Sequence, residues 1–138
     1  MKQVFTDAGF WIGLRDPKDQ FHAISGRLAR YLLEKRLHLV STPLVFAEVY
    51  AQFSRARITK AQVLRDCWRN PVVRIEQATP ADQEQAVGIL HKHEDESYSF
   101  CDAVSFAVML RLGIREVVTF DEHFRQFGEF NVIDGASL

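Results

Sequence analysis

Residues 99–121 read SFCDAVSFAVMLRLGIREVVTFD, and this stretch decides how the chain folds. Apolar side chains recur at helical spacing at Ala103, Phe106, Ala107 and Leu110 and also fill much of the opposite face, which predicts a helix covered on most sides. Gly113 ends it, and the β-branched run through Val117, Val118 and Thr119 predicts a buried strand. One carboxylate, Asp102, therefore opens a buried helix, and another, Asp121, closes a buried strand. A carboxylate in such a setting is costly unless it is paired, hydrogen-bonded or bound to a cation. Ser99 precedes Asp102 at the spacing of a capping box, so a cap and a ligand are both open readings of that acid, and the two are compatible.

Working outward, the same alternation recurs. Gln3 to Thr6 predicts a strand ending at Asp7, with a helix beginning near Ala8. A second helix is expected from His22 to about Lys35 and a second strand over Leu37 to Val40. Ser41, Thr42 and Pro43 supply an N-cap and a first-turn proline for a helix from Leu44 to about Ser54, which carries Glu48 too deep to be a cap. Ile58 to Arg69 reads as one helix and Val72 to Ile75 as a strand. Thr79 and Asp82 form a second capping box, in which the acid is structural, opening a helix to about His93. A short helix over Glu122 to Phe127 and a strand over Phe130 to Ile133 complete the series.

Strands alternating with helices from end to end predict an α/β fold: a three-layer α/β/α sandwich around a mostly parallel sheet of four to five strands, in a single domain over residues 1–138. The 138 residues, 47% hydrophobic and 25% charged, fit one domain with a sizeable core. No apolar run is long enough for a membrane span and no signal peptide opens the chain, so a cytoplasmic protein is expected. Cys67 and Cys101 are read as reduced packing residues. A net charge of −1 neither advertises nor excludes nucleic-acid binding, because a local basic patch suffices.

Right-handed crossovers place every strand's C-terminal end on one edge, where ligands of such sheets bind. Asp7, Asp102 and Asp121 are expected to converge there, with Glu48 reaching in from the side. Four acids without counter-charges repel one another, and a hard divalent cation resolves the repulsion; an all-oxygen site favours Mg²⁺ or Mn²⁺. Such ions activate water for attack on a phosphodiester, and no serine, cysteine or histidine stands in a convincing nucleophilic triad.

These residues also resemble a known family. The Asp7-Ala8-Gly9-Phe10 opening, His22 and Ala23, the Thr42 to Glu48 block, the Phe100 to Ala107 block around Asp102, and Thr119-Phe120-Asp121 followed by Phe124 are similar to the PIN-domain metal-dependent ribonucleases, and within them to VapC-type toxins of toxin–antitoxin pairs. The resemblance implies an RNA endonuclease dependent on Mg²⁺ or Mn²⁺, with Asp7, Glu48, Asp102 and Asp121 as its acidic cluster, and a homodimer blocked by an antitoxin. Many members carry a hydroxyl residue just after the first acid, where Ala8 and Gly9 stand here; Thr119 is retained and is expected to support Asp121. Arg55, Arg57 and Lys60, with Arg65 and Arg69, are either a phosphate-binding rim or a solvated helix face. Phe10, Trp11, Tyr50 and Tyr98 are either base-stacking surfaces or core, and apolar surface for an antitoxin helix is expected around Phe10, Trp11 and the helices following strands one and two. His91 and His93 make a poor metal pair, and His123, beside Asp121, is read as a surface residue, with a substrate contact as the alternative. A phosphoacceptor receiver would show paired acids at strand one and a late lysine, and a haloacid-dehalogenase phosphatase an acid at Gly9; neither is present. The rivals that stand are a PIN fold kept only for RNA or partner binding and a non-toxin RNA-processing nuclease.

Overall fold

The computed structural model describes residues 2–136 and 138. Five strands, β1 (Gln3–Thr6), β2 (His38–Ser41), β3 (Val73–Ile75), β4 (Glu116–Val118) and β5 (Asn131–Ile133), form one sheet in the order β3-β2-β1-β4-β5. Every adjacent pair is parallel, so the expectation of a mostly parallel sheet resolves to a wholly parallel one. The helices are α1 (Ala8–Arg15), α2 (His22–Glu34), α3 (Pro43–Gln52), α4 (Arg57–Val63), α5 (Pro80–Lys92), α6 (Phe100–Leu112) and α7 (Glu122–Phe127). None is long and apolar enough to cross a membrane.

The strand order explains the layers. The chain winds from β1 outward to β3, then returns to the other side of β1 for β4 and β5. Right-handed crossovers consequently place α1–α4 on one face and α5–α7 on the other. The packing follows: α1 lies against α2 and α3, while α5 and α7 both pack on α6. The sheet reverses direction between β1 and β4, and the crevice at their C-terminal ends is where ligands of such folds bind.

Helix α6 is the centre of this arrangement, as its sequence requires. All eight residues from Asp102 to Met109 are buried. Gly113, at φ 70°, closes the helix with its N–H on the Leu110 carbonyl and that of Ile114 on the Met109 carbonyl, a left-handed termination that a Cβ would strain. Phe106 in turn gathers Tyr98, Phe124, Phe127 and Phe130 around it, with ring centroids 4.4–5.9 Å away, which anchors short α7 to α6.

Two expected boundaries shift. The strand expected to close at Asp121 ends at Val118, and Asp121 instead caps α7, its Oδ1 accepting the His123 N–H at 2.9 Å. The helix expected over Ile58 to Arg69 gives way after Val63 to a π-helical turn, Leu64–Trp68, closed by the Arg69 N–H on the Leu64 carbonyl. The wider turn lets Asp66 pair with Arg15 while Trp68 lies 5.0 Å from the ring of Phe46.

Candidate active site

Asp7 follows β1 directly, and its N–H donates to the Val118 carbonyl at 3.1 Å, fixing it at the β1–β4 crevice. Its side chain is nearly sealed, at 8% exposure. Burial pushes this carboxyl up to about 7, with the charges of Asp102 and Asp121 adding to the shift and the Thr119 and Ala8 hydrogen bonds opposing it. The Thr119 hydroxyl donates to Asp7 Oδ2 at 2.9 Å and accepts the Asp121 N–H at 3.0 Å. Thr119 thus contacts Asp121 through that residue's backbone N–H and also supports the carboxylate of Asp7, because β4 ends one residue before it and turns its hydroxyl toward β1. That contact supplies from across the sheet the hydroxyl that Ala8 and Gly9 lack.

Asp102 takes the capping role open to it. The Ser99 N–H donates to Asp102 Oδ2 and the Asp102 N–H to Ser99 Oγ, each at 3.0 Å, so the capping box is complete and the carboxylate is locked at the start of α6. Thr79 and Asp82 repeat the device on α5, but there Arg111 engages both Asp82 oxygens at 3.0 Å. Burial pushes Asp82 up, yet the Arg111 and Thr79 hydrogen bonds outweigh it and leave that carboxyl below its ordinary value. Asp102 has no such guanidinium. Its partner is His123, whose Nδ1 lies 2.7 Å from Asp102 Oδ2 and 3.3 Å from Asp121 Oδ1.

Glu48 projects from α3 with its side chain mostly exposed. Its carboxyl is nonetheless raised, first by partial burial and then by the charge of Asp102, with Asp121 adding and a Cys101 hydrogen bond opposing. Cys101 borders the group too; burial pushes its thiol above the ordinary range, with the charges of Glu48, Asp7 and Asp102 adding, so it stays protonated. Among the described residues, no arginine or lysine pairs with any of the four acids. Asp102, Asp121 and His123 present donor atoms that all lie within 4.8 Å of one another. This oxygen-rich set, uncompensated by any fixed positive charge, fits a hard divalent cation.

His123 is the residue that sequence reasoning misplaced. Expected at the surface, its side chain is only 21% exposed, because the aromatic packing of α7 on α6 turns it inward. The available signal was its position two residues after an acid that caps a helix. Other histidines stay outside the cluster: His22 Nδ1 is 2.8 Å from the Gly13 carbonyl, and exposed His91 lies near Glu94. Phe10, Trp11 and Tyr98 are buried, which removes them as base-stacking surfaces, and Tyr50 stacks on Phe46. Around Phe10, Trp11 and the helices that follow β1 lies an apolar groove. Trp11 is 4% exposed and donates to Thr6 Oγ1 at 3.0 Å, so the accessible apolar side chains lining the groove are Leu33, 69% exposed, and Val72, 39% exposed. The groove, of about 420 Å³, runs between α1, α2 and the π-helical turn and contains none of the four acids. Arg55 and Arg57 are exposed, and Lys60 Nζ reaches the Ser54 carbonyl at 3.4 Å.

Comparison with known proteins gives a consistent picture. The sequence model of the PIN domain matches residues 4–129. The chain is 33% identical over 126 residues to the 23S rRNA-specific endonuclease VapC20 of Mycobacterium tuberculosis, covering 91% of this chain and 94% of that protein. The crystal structure of that VapC20, described as a sarcin-ricin loop cleaving toxin, superposes with a TM-score of 0.80 at 29% identity over 91% of this chain and 95% of the other. A toxin-antitoxin complex from Klebsiella pneumoniae contains a chain of the same fold, with a TM-score of 0.68 at 12% identity over 96% of this chain and 97% of that one.

Proposed function

The chain belongs to the PIN-domain family, and from that premise we propose that it is an endoribonuclease dependent on Mg²⁺ or Mn²⁺ and the toxin of a toxin–antitoxin pair, acting in the cytoplasm. The observation that carries this reading is the grouping of Asp7, Asp102 and Asp121, with Glu48 near enough to feel their charge, at one sheet edge where, among the described residues, no arginine or lysine pairs with them. A divalent cation held there supplies a water of lowered pKa and stabilisation for the leaving oxygen of a phosphodiester. Asp7, Asp102 and Asp121 hold the ion, and Thr119 and Ser99 fix two of their carboxylates through hydrogen bonds. Glu48, on the solvent side with a raised pKa, is suited to take the proton of the attacking water on its carboxylate. Arg55, Arg57 and Lys60 contact RNA phosphates.

The activity of the relative makes the sarcin-ricin region of 23S rRNA the first substrate to test. An antitoxin segment docks as an apolar helix in the groove between α1 and α2, with Leu33 at its rim. Exposed Leu44 and Ile58, on α3 and α4, support the reading of a homodimer. The test is incubation of purified protein with ribosomal RNA and Mg²⁺ or Mn²⁺, with a chelator and Asp7→Asn as controls. Cleavage lost in both is expected. Cleavage that survives both rejects the metal mechanism, and no cleavage under any condition returns the chain to the class of binding modules.

A further inference from the structure

The side chain left unused by the reaction above is His123. It stands inside the acid cluster rather than beside it. Nδ1 lies 2.7 Å from Asp102 Oδ2 and 3.3 Å from Asp121 Oδ1. Neighbouring donors on an octahedral ion with bonds of about 2.1 Å are separated by about 3 Å. Nδ1 thus already stands at about the spacing of an adjacent ligand from each of the two oxygens, and the donor atoms of all three residues lie within 4.8 Å of one another. The other ring nitrogen is engaged as well: Nε2 is 3.0 Å from Ser97 Oγ. A partner on the far nitrogen is the usual arrangement for a metal-binding imidazole, since it fixes the ring and leaves the near nitrogen free to face the ion. Tyr98 packs edge-to-face on the ring, with centroids 5.4 Å apart, which restrains the imidazole on that side.

We propose that His123 Nδ1 is a direct ligand of the bound cation, making the site a mixed carboxylate–imidazole centre that favours Mn²⁺ over Mg²⁺. This rests on the reading of the four acids as a cation site and adds a nitrogen donor to it. Mg²⁺ binds oxygen almost to the exclusion of nitrogen, whereas first-row transition ions accept imidazole. Asp102 and Asp121 serve either ion; His123 separates them.

The experiment is pulsed electron paramagnetic resonance of Mn²⁺ bound to the full chain, with calorimetric titration of Mn²⁺ and of Mg²⁺. The variants are His123→Asn, His123→Gln and Asp102→Asn, each checked for folding by circular dichroism. Asparagine keeps a hydrogen-bonding amide next to Asp102 but cannot place a nitrogen lone pair on the metal. A ¹⁴N coupling in the unmodified protein, absent in His123→Asn and His123→Gln, is the expected result, together with a preference for Mn²⁺ over Mg²⁺ that falls about tenfold or more in both variants. Bound Mn²⁺ without nitrogen coupling, weakened by Asp102→Asn but not by the His123 variants, overturns the histidine ligand and leaves the acid site standing. Failure of the unmodified protein to bind Mn²⁺ overturns both.

Discussion

At the residue scale, Asp7 and Thr119 carry the sharpest consequences. A carboxyl held at about 7 in the fold against an ordinary 3.8 keeps a proton that the unfolded chain has already released. The folded state therefore binds more protons between about pH 4 and 7, and the Asp7 contribution to stability, full below about 4, is lost as pH rises through about 7. Metal-free protein should melt at progressively lower temperature across that window, and Asp7→Asn should flatten the trend; an unchanged slope in the variant would assign it to another group. Thr119→Val removes the hydroxyl on Asp7 Oδ2 and should weaken cation binding by about 10- to 100-fold in a titration, with Thr119→Ser restoring it. The meeting of Asp7 with the segment after β4 was legible from the sequence because topology places the ends of β1 and β4 together. The Thr119–Asp7 bond was not, since it joins positions 112 apart across two strands.

At the scale of elements, caps and close contacts decide where side chains point. Ser99→Ala removes half of the capping box that opens α6 and should cost about 1 kcal/mol in denaturant unfolding. The same change frees the Asp102 backbone, so cation affinity should drop with it. Gly13 sits where α1 meets α2: a Cβ there would lie 2.5 Å from Ser25 Oγ and 3.1 Å from the Phe21 carbonyl. Gly13→Ala should destabilise the protein by about 1–3 kcal/mol, and Ser25→Ala in the same chain should recover part of the loss, read as a double-mutant cycle. The N-caps at Thr42, Thr79 and Ser99 were readable because each announces itself within four residues. The end of β4 and the π-helical turn were not, because their limits follow from pairing with β1 and from the Arg15–Asp66 contact across the fold. His123 belongs to this class in part: its place two residues after a capping acid is local, but the aromatic packing that turns it inward is not.

At the scale of the whole molecule, the proposed function uses two surfaces. The β1–β4 crevice holds Asp7, while the apolar groove lies between α1, α2 and the π-helical turn, so on that proposal partner binding and cleavage should separate by mutation. Leu33→Asp should abolish binding of an antitoxin-derived helix, measured by titration, and leave RNA cleavage intact. The alternation of strands and helices was enough to foresee this sandwich and the edge that carries the acids, whereas the groove depends on how α2 and the π-helical turn splay apart. The central claim is that a cation is held between the carboxylates at that edge. Its most direct test is a crystal soaked in Mn²⁺ and measured at the manganese absorption edge: an anomalous peak enclosed by Asp7, Asp102 and Asp121 is predicted, and a fully soaked crystal with that position empty would contradict the account.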